Sequence, residues 1–381
     1  MSWTCRRLLA TAAIVVAAAS CASDDGGSAD VAPGSSSTDA AAPTTSAPPT
    51  EAPSTTIAPV VSELPSTTRP SAIPGSVPVI IDSDANNELD DQHALAYAAL
   101  RPDLFDLVAV TANATSAGGT VDAHAAEAER VLALADRVGD VPVYAGADGT
   151  FDEIRPFLDD PDHDGHAAVD AIIDAARSNG ELVLLPIGKL TNVALALDKA
   201  PDIADGLRVL WLGSNYPQGT PEYNLDNDPG ALSFVLDDGV DAGLEFEIVT
   251  VRPGDTTGTA AVDLSIDEAL ARMPGLGPTI DAPIVGRTGM THSTFGDYSA
   301  ELFRTSTPFG DPPSRSLFDL AAVALVGEPS WAESVLIAAP SFVAGEFVDR
   351  PERQQTIRYW ERFDRDAIVE DMFASLVAAS E

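Results

Sequence analysis

Carboxylates are concentrated in the segment VIIDSDANNELDDQHALAYAAL (79–100), where five of them fall within ten residues. They are Asp82, Asp84, Glu88, Asp90 and Asp91. Asp82 and Asp84 are two positions apart at the end of an apolar run, so their side chains share a face if the chain stays extended. Repulsion among so many like charges destabilises a fold unless a cation lies between them. The segment therefore predicts a cation site.

The residue types in this segment select the kind of cation. Carboxylates and short amide side chains on a tight loop suit a hard ion, Ca²⁺ or Mg²⁺. Cysteines and closely spaced histidines, which would indicate zinc, do not occur here. A simpler interpretation covers part of the pattern, because either Asp90 or Asp91 could only cap a following helix. It does not explain Asp82 and Asp84.

The elements that must position these carboxylates alternate between short apolar runs and longer helical patterns. The predicted strands are 77–81, 107–112, 141–144, 182–187 and 207–213, and the predicted helices are 90–100, 121–138, 167–179, 190–200 and 229–238. Continuous apolar strands that alternate with helices predict an α/β fold with a doubly wound, mostly parallel central sheet flanked by helices. Ligands bind at the carboxyl ends of such strands, where the acidic segment lies. We expect residues 331–381 to complete the same domain.

Five segments together resemble the inosine–uridine-preferring nucleoside hydrolase family. DSDANNELDD resembles its N-terminal aspartate motif, in a longer variant with two extra residues between the second and third aspartates. The later matches follow in the family's order and are LVAVTAN (107–113), LVLLPIGKLTNVALAL (182–197), VLWLGSN (209–215) with TPEYNLDNDPGA (220–231), and SLFDLAAVAL (316–325). The resemblance covers about residues 77–330. It implies hydrolysis of the N-glycosidic bond of a ribonucleoside, or of a related N-ribosyl compound.

The resemblance also implies roles for individual residues. Asp84 would be the general base and would touch the metal, which would be Ca²⁺ rather than Mg²⁺. The other metal ligands would be Asp82, Asp91, Asp319 and the carbonyl oxygen of Ile187. The groups that hold the ribose would be Asp90, Glu222, Asn224, the active-site asparagine Asn113 and also Asn215. The division of roles between Asp82 and Asp84 stays open.

The leaving base is where the sequence departs from the family pattern. Many members have a histidine just before the late aspartate, and this chain has Phe318. Phe318 could stack on a nucleobase, which would favour purines, or it could be a core residue. His292, in the Gly- and Thr-rich loop 289–298, could act in the base pocket or be an ordinary loop residue, and Tyr223 could contact the base.

Two other functions fit parts of the sequence. A haloacid dehalogenase-type phosphohydrolase also begins with Asp-x-Asp after a strand, and GKLTN (188–192) loosely matches the lysine that it needs. A lipoprotein that binds a nucleoside or sugar without turnover would fit an exported chain, but it needs no acidic catalytic centre.

Composition and the N-terminus restrict partners and location. Lys and Arg total 21 against 59 Asp and Glu, a net charge of −38, which excludes the basic footprint of a nucleic-acid-binding protein.

Residues 1–20 resemble a lipoprotein signal peptide that ends in AAAS before Cys21, the predicted lipidation site; an ordinary signal peptide is the alternative. Residues 21–75 predict a Ser-, Thr-, Pro- and Ala-rich tether, and 76–381 the catalytic domain. We expect an exported, extracytoplasmic protein that contacts the membrane only through its lipid, with a homodimer or homotetramer as the candidate assemblies.

Overall fold

A nine-stranded sheet organises the described part of the chain, which comprises Thr67–Thr68 and residues 75–381 of a computed structural model. The strands are β1 (Thr67–Thr68), β2 (Val77–Ser83), β3 (Phe105–Ala112), β4 (Val143–Ala145), β5 (Leu182–Pro186), β6 (Leu207–Leu212), β7 (Glu245–Val249), β8 (Asp263–Ser265), β9 (Ile284–Val285), β10 (Thr291–His292), β11 (Ser314–Ser316), β12 (Glu333–Ala338), β13 (Ser341–Val343), β14 (Glu346–Val348) and β15 (Thr356–Glu361). The helices are α1 (Asp90–Leu100), α2 (Val121–Leu134), α3 (Phe151–Ile154), α4 (His166–Asn179), α5 (Thr191–Lys199), α6 (Tyr223–Asn227), α7 (Pro229–Phe234), α8 (Ile266–Arg272), α9 (Phe295–Thr305), α10 (Phe318–Gly327) and α11 (Arg365–Ala378).

The central sheet has the strand order β1-β12-β15-β7-β6-β5-β2-β3-β4. Every pairing from β15 to β4 is parallel, whereas β12 pairs antiparallel with β15 and with β1. The predicted fold class, a mostly parallel sheet flanked by helices, is confirmed. Two strands of residues 331–381, β12 and β15, belong to this sheet.

Alternate side chains of β2 enter two separate cores. Val79 and Ile81 pack into the core that includes α1, α2, α10 and α11, and Ile80 packs into the core that includes α4, α5 and α7. A strand that is buried on both faces needs a continuous apolar run, which the sequence supplies here.

The sheet extends from β2 in two directions. β3 and β4 extend it on one side, and β5, β6 and β7 extend it on the other. The crevice at the carboxyl ends of β2 and β5 is therefore the topological switch point, where ligands of doubly wound sheets bind.

The N-terminal predictions fall mostly on residues that the structure does not describe. Cys21 and the predicted signal peptide, residues 1–20, lie outside the described residues. β1 lies within the segment 21–75 predicted to be a tether, and it pairs with Ser334 and Val335 at the edge of the sheet. In the described part of the chain, we find no helix with the length and apolarity that a membrane span requires.

Candidate active site

Carboxylates at the end of β2 and the start of α1 line a cavity of about 250 Å³ at the switch point. The residues that line it are Asp84, Asn87, Glu88, Asp90, Asp91, Ala117, Ile187, Leu212, Glu222, Tyr223, Asn224, Val251, Pro253, Phe318 and Asp319. The loop after β2, the start of α1, the loop after β5, α6 and α10 thus contribute to its lining. Elements far apart in the sequence meet here because parallel strands end at a common edge.

Three of these acids form a compact group that could hold a cation. One carboxylate oxygen from each of Asp90, Asp91 and Asp319 lies within 4.8 Å of the others, and all three side chains are buried. Asp90 and Asp91 open α1, and Asp319 lies in the first turn of α10, so two helix N-termini face the group with their positive dipole ends. The helix ends offset part of the repulsion among the carboxylates but supply no full positive charge.

The electrostatics of these acids show the cost of holding them together without a cation. Burial raises the pKa of Asp84, and the charge of Asp91 raises it further. Burial also raises the pKa of Asp319 well above its usual value, with the charges of Asp90 and Asp91 acting in the same direction. The pKa of Asp90 is raised to about 7 by burial and by the charge of Asp91. A donor set of buried oxygens with raised pKa values fits a hard divalent cation.

Asp84 lies in the cavity wall with one oxygen fixed by neutral donors. Its Oδ2 accepts hydrogen bonds from Nδ2 of Asn87 and from Oγ1 of Thr115, the latter at 2.5 Å. Neither donor was predicted from the sequence. Asn87 was visible as part of the extended aspartate motif, but Thr115 follows β3 and carried no local signal. The two contacts orient the Asp84 carboxylate toward the cavity.

Asp82 occupies a different environment, although it is only two residues away. Its Oδ1 accepts from Oγ1 of Thr111 and Nδ2 of Asn192, both at 2.7 Å, and its Oδ2 accepts from Nδ2 of Asn113 at 3.1 Å. Burial raises its pKa to about 6 against these stabilising donors. The predicted metal ligand Asp82 therefore lies behind the cavity wall, outside the group formed by Asp90, Asp91 and Asp319.

Asn113, predicted as an active-site residue, is held by Asp82 and is fully buried. Its Oδ1 has no hydrogen-bond partner among the described residues. The backbone of Gly188 packs directly against the side chains of Asn113 and Asp84. A Cβ at residue 188 would lie 2.7 Å from Asn113 Oδ1 and 2.9 Å from Asp84 Oδ1. Residue 188 must be glycine for these side chains to keep their positions.

The loop between β6 and α6 brings Glu222 and Asn224 to the cavity. Glu222 caps α6: it accepts from the backbone N–H of Asn224 at 3.1 Å and of Leu225 at 2.9 Å, and also from Ser214 at 2.7 Å. Nδ2 of Asn224 donates to the carbonyl of Ile187, the predicted metal ligand, at 3.0 Å. Both side chains thus hold the loop together.

Tyr223 and Phe318 line the cavity, as predicted for a base pocket, whereas Asn215 and His292 lie elsewhere. The hydroxyl of Tyr223 donates to Oγ1 of Thr115 at 3.0 Å. Nδ2 of Asn215 donates to the carbonyl of Pro221 at 2.8 Å, so it supports the loop that carries Glu222. His292 is buried against Glu301, and its ring centroid lies 5.3 Å from that of Tyr298. The structure therefore does not bring Asn215 or His292 into the cavity wall.

The lysine on which the phosphohydrolase alternative depends also points elsewhere. Nζ of Lys189 donates to the backbone carbonyls of Asp148 and Gly149, at 3.0 and 2.6 Å. It is not part of the lining of the acidic cavity. The arrangement does not support a phosphate-binding role for Lys189.

The chain belongs to the family of inosine-uridine preferring nucleoside hydrolases, because that family's profile matches residues 79–379. Among curated relatives, it is 34% identical over 186 residues to a pyrimidine-specific ribonucleoside hydrolase of Shewanella oneidensis, covering 43% of this chain and 56% of the relative. It is 29% identical over 280 residues to a non-specific ribonucleoside hydrolase of Salmonella agona, covering 67% of this chain and 79% of the relative. The chain thus spans just over half the length of the first of these relatives.

Solved structures agree on the fold. A purine-preferring ribonucleoside hydrolase from Gardnerella vaginalis superposes with a TM-score of 0.56 at 20% identity, covering 80% of this chain and 99% of that one. A plant nucleoside hydrolase gives a TM-score of 0.58 at 19% identity, covering 80% of this chain and all of that one. At such identities the likeness supports the fold alone.

Proposed function

We propose that this protein hydrolyses the N-glycosidic bond of a ribonucleoside, or of a related N-ribosyl compound, to ribose and free base. The observation that carries the proposal is the group of buried carboxylates, Asp84, Asp90, Asp91 and Asp319, in the wall of one cavity at the switch point. Cleavage of such a bond passes through a ribosyl cation with oxocarbenium character. Carboxylates around the sugar stabilise the positive charge that develops there.

The group that accepts the proton from the attacking water is Asp84. Its Oδ2 is held by Asn87 and Thr115, so the carboxylate keeps one orientation toward the cavity. As the C1′–N bond breaks, water forms the new C1′–O bond and its proton passes to Asp84. The base leaves with the bonding electron pair and takes a proton from solvent.

A divalent cation, Ca²⁺ in preference to Mg²⁺, would be held by Asp91, Asp319 and Asp84 with the carbonyl of Ile187. When bound, such an ion supplies positive charge that lowers the pKa of a nearby water. Asp90, Glu222 and Asn224 would hold the ribose hydroxyls. We assign Asp82 to the positioning of Asn113, because it accepts a hydrogen bond from Nδ2 of Asn113 and does not line the cavity.

The test is ribose release by the full-length protein from a panel of purine and pyrimidine nucleosides, with Ca²⁺ and with a chelator. We expect turnover that depends on the cation. Tight binding of intact nucleosides without ribose release would overturn the proposal and favour the binding lipoprotein. Phosphate release from phosphomonoesters would favour the phosphohydrolase.

We also propose that the protein is exported and anchored through a lipid on Cys21, on the strength of the N-terminal sequence. The segment between Cys21 and the sheet is long enough to separate the domain from a membrane. Cys21→Ala should move the protein from the membrane fraction to the soluble fraction, with unchanged catalysis. Retention of the variant in membranes would refute the lipid anchor.

A further inference from the structure

A second cavity, of about 410 Å³, adjoins the acidic one. The two cavities share Asn87 and Glu88 as lining residues, and Arg287 and Arg315 line the second cavity. The chain has a net charge of −38, so two arginines beside a cluster of acids make this region locally more positive than the rest. Glu88 lies where the two regions meet.

Glu88 is fixed in this position from two directions. Nη2 of Arg287 donates to its backbone carbonyl at 2.6 Å, and Nη1 of the same arginine donates to the carbonyl of Asn86 at 3.0 Å. The carboxylate of Glu88 forms an ion pair through Oε2 with Nη2 of Arg315. The loop between Asp84 and Asp90 is therefore held as one piece, with a defined orientation of the Glu88 side chain.

Arg315 is built in rather than free to move. Its side chain is 6% exposed, against 49% for Glu88. Its Nη1 donates to the carbonyl of Thr307 at 2.7 Å, and its guanidinium lies over the ring of Phe309, 4.8 Å from the centroid. Holding a half-exposed carboxylate in one orientation costs side-chain entropy, and an ion pair of an exposed group contributes little stability in return. The arrangement is therefore better explained by a ligand that binds the Glu88 carboxylate.

The contact also indicates which end of a substrate Glu88 would meet. Arg315 lies in β11, three residues before Phe318, so the ion pair connects Glu88 to the segment that carries Phe318, one of the two aromatic residues that line the cavity. Glu88 and Phe318 both line the acidic cavity. If Phe318 faces the base, Glu88 lies at the base end of the pocket.

We propose that Glu88 recognises the leaving base by accepting hydrogen bonds from its N–H groups, and that Arg315 is the positioning residue for Glu88. This inference rests on the proposed hydrolysis of N-ribosyl compounds. An ionised carboxylate is an acceptor only, with two oxygens side by side. Guanine presents two adjacent N–H donors that match them, hypoxanthine presents one at that edge, and an aryl leaving group such as nitrophenolate presents none. Arg315 neutralises the charge of Glu88, which limits its repulsion of a departing base that gains negative charge.

The experiment compares guanosine, inosine and 4-nitrophenyl β-ribofuranoside as substrates of the full-length protein with Ca²⁺. Loss of a hydrogen bond to a charged group lowers kcat/KM about 10–100-fold. We expect Glu88→Ala to show such a loss with guanosine, a smaller loss with inosine, and no change with the nitrophenyl riboside. Glu88→Gln keeps one acceptor oxygen and should lose less than Glu88→Ala, in the same substrate order.

Arg315→Met should reproduce the substrate order of Glu88→Ala, because it frees Glu88 without removing it. Arg353→Met is the matched control: Arg353 is 8% exposed and pairs with Asp241, but it lines neither cavity. The control should leave the ratio of guanosine to nitrophenyl riboside cleavage unchanged.

Equal losses on all three substrates, or no loss with guanosine, would overturn the role of Glu88 in recognising the base while leaving hydrolysis intact. A wild-type protein that releases ribose neither from these three substrates nor from the panel of purine and pyrimidine nucleosides would instead overturn the proposed function, and this inference with it. Because Glu88→Gln is isosteric, it decides the question even if Glu88→Ala does not fold.

Discussion

Buried carboxylates at the carboxyl end of β2 lie in two environments that differ in their hydrogen-bond donors and charged neighbours. Asp82 has both oxygens engaged by neutral donors from Thr111, Asn113 and Asn192. The cluster of Asp90, Asp91 and Asp319, with Asp84 beside it, consists of acids facing acids. A buried charge can be stabilised by hydrogen bonds from neutral groups, by a counter-charge, or by protonation. Asp82 has the first for both of its oxygens. In the cluster, Asp91 accepts from Ser83 and the neighbouring Asp84 accepts from Asn87 and Thr115, and the remaining charge must take the second or the third.

The two aspartates of the Asp-x-Asp motif therefore have separate roles. Asp82 organises the polar groups behind the cavity, whereas Asp84 is left to act in the cavity. The largest expected difference between them is in turnover. Asp84→Asn should fold and bind substrate but lose about 10²–10⁴-fold in kcat, because an amide cannot take a proton from water.

The measurement for Asp84→Asn is ribose release under saturating substrate, with binding of a non-hydrolysed analogue as the check on folding. A variant that retains most of its turnover would remove Asp84 from the base role. Because Asn can damage a metal site as well, bound Ca²⁺ must be measured in the same preparation.

The second test concerns the cation itself. Wild type should gain about 2.7 kcal/mol of stability at a Ca²⁺ concentration 100 times its Kd. Asp91→Ala should abolish this gain, because it removes a carboxylate from the cluster. The matched control is Asp122→Ala, since Asp122 is also a first-turn helix acid but is exposed and outside the cavity. Equal melting temperatures of wild type with Ca²⁺ and with chelator would contradict a structural metal.

A third substitution should lower the free energy of unfolding without affecting cation binding. Asp82→Asn places an amide N–H₂ among three groups that donate hydrogen bonds, which leaves buried donors unpaired and costs about 1–3 kcal/mol. Denaturant unfolding of the metal-free protein measures this cost. The Ca²⁺-dependent gain should persist in the variant, and its disappearance would place Asp82 back among the ligands.

The remaining test is the pH dependence of the metal-free protein. The folded-state pKa values of Asp82 and Asp90 are raised to about 6 and about 7, above the ordinary value near 4 of an unfolded chain. The folded state therefore binds more protons than the unfolded state between these values, so stability falls as pH rises. Each such group contributes at most about 1.4 kcal/mol per pH unit.

Thermal melts in chelator between pH 4 and pH 7 test this direction. With Ca²⁺ present the trend should weaken or reverse, because the ion favours ionised ligands. A metal-free protein whose stability rises over this range would show that the cluster is ionised and stabilised without a cation.

Much of the scaffold was predictable because its signals are local. The helix predicted at 90–100 is α1 as observed, and the apolar run at 77–81 lies within β2. β7 was missed because Glu245 and Glu247 interrupt its apolar pattern. Glu247 is buried there with an ion-pair partner, Arg208 on the neighbouring strand β6, at 2.7 Å. No local pattern contains that partner.

The sequence by itself determined the class of fold and the order of the motifs, because periodicity and residue type act over a few neighbouring positions. It also determined that carboxylates would gather at one strand end. The tertiary structure decided which of them share a cavity. Asp82 and Asp84 are indistinguishable by spacing, and only the donors that β3 and α5 bring to Asp82 separate them. Likewise, only the packing of α9 turns His292 toward Glu301 and away from the cavity. Burial and hydrogen bonding depend on residues distant in the chain, so the roles within the motif emerge only when the sheet and its helices are assembled.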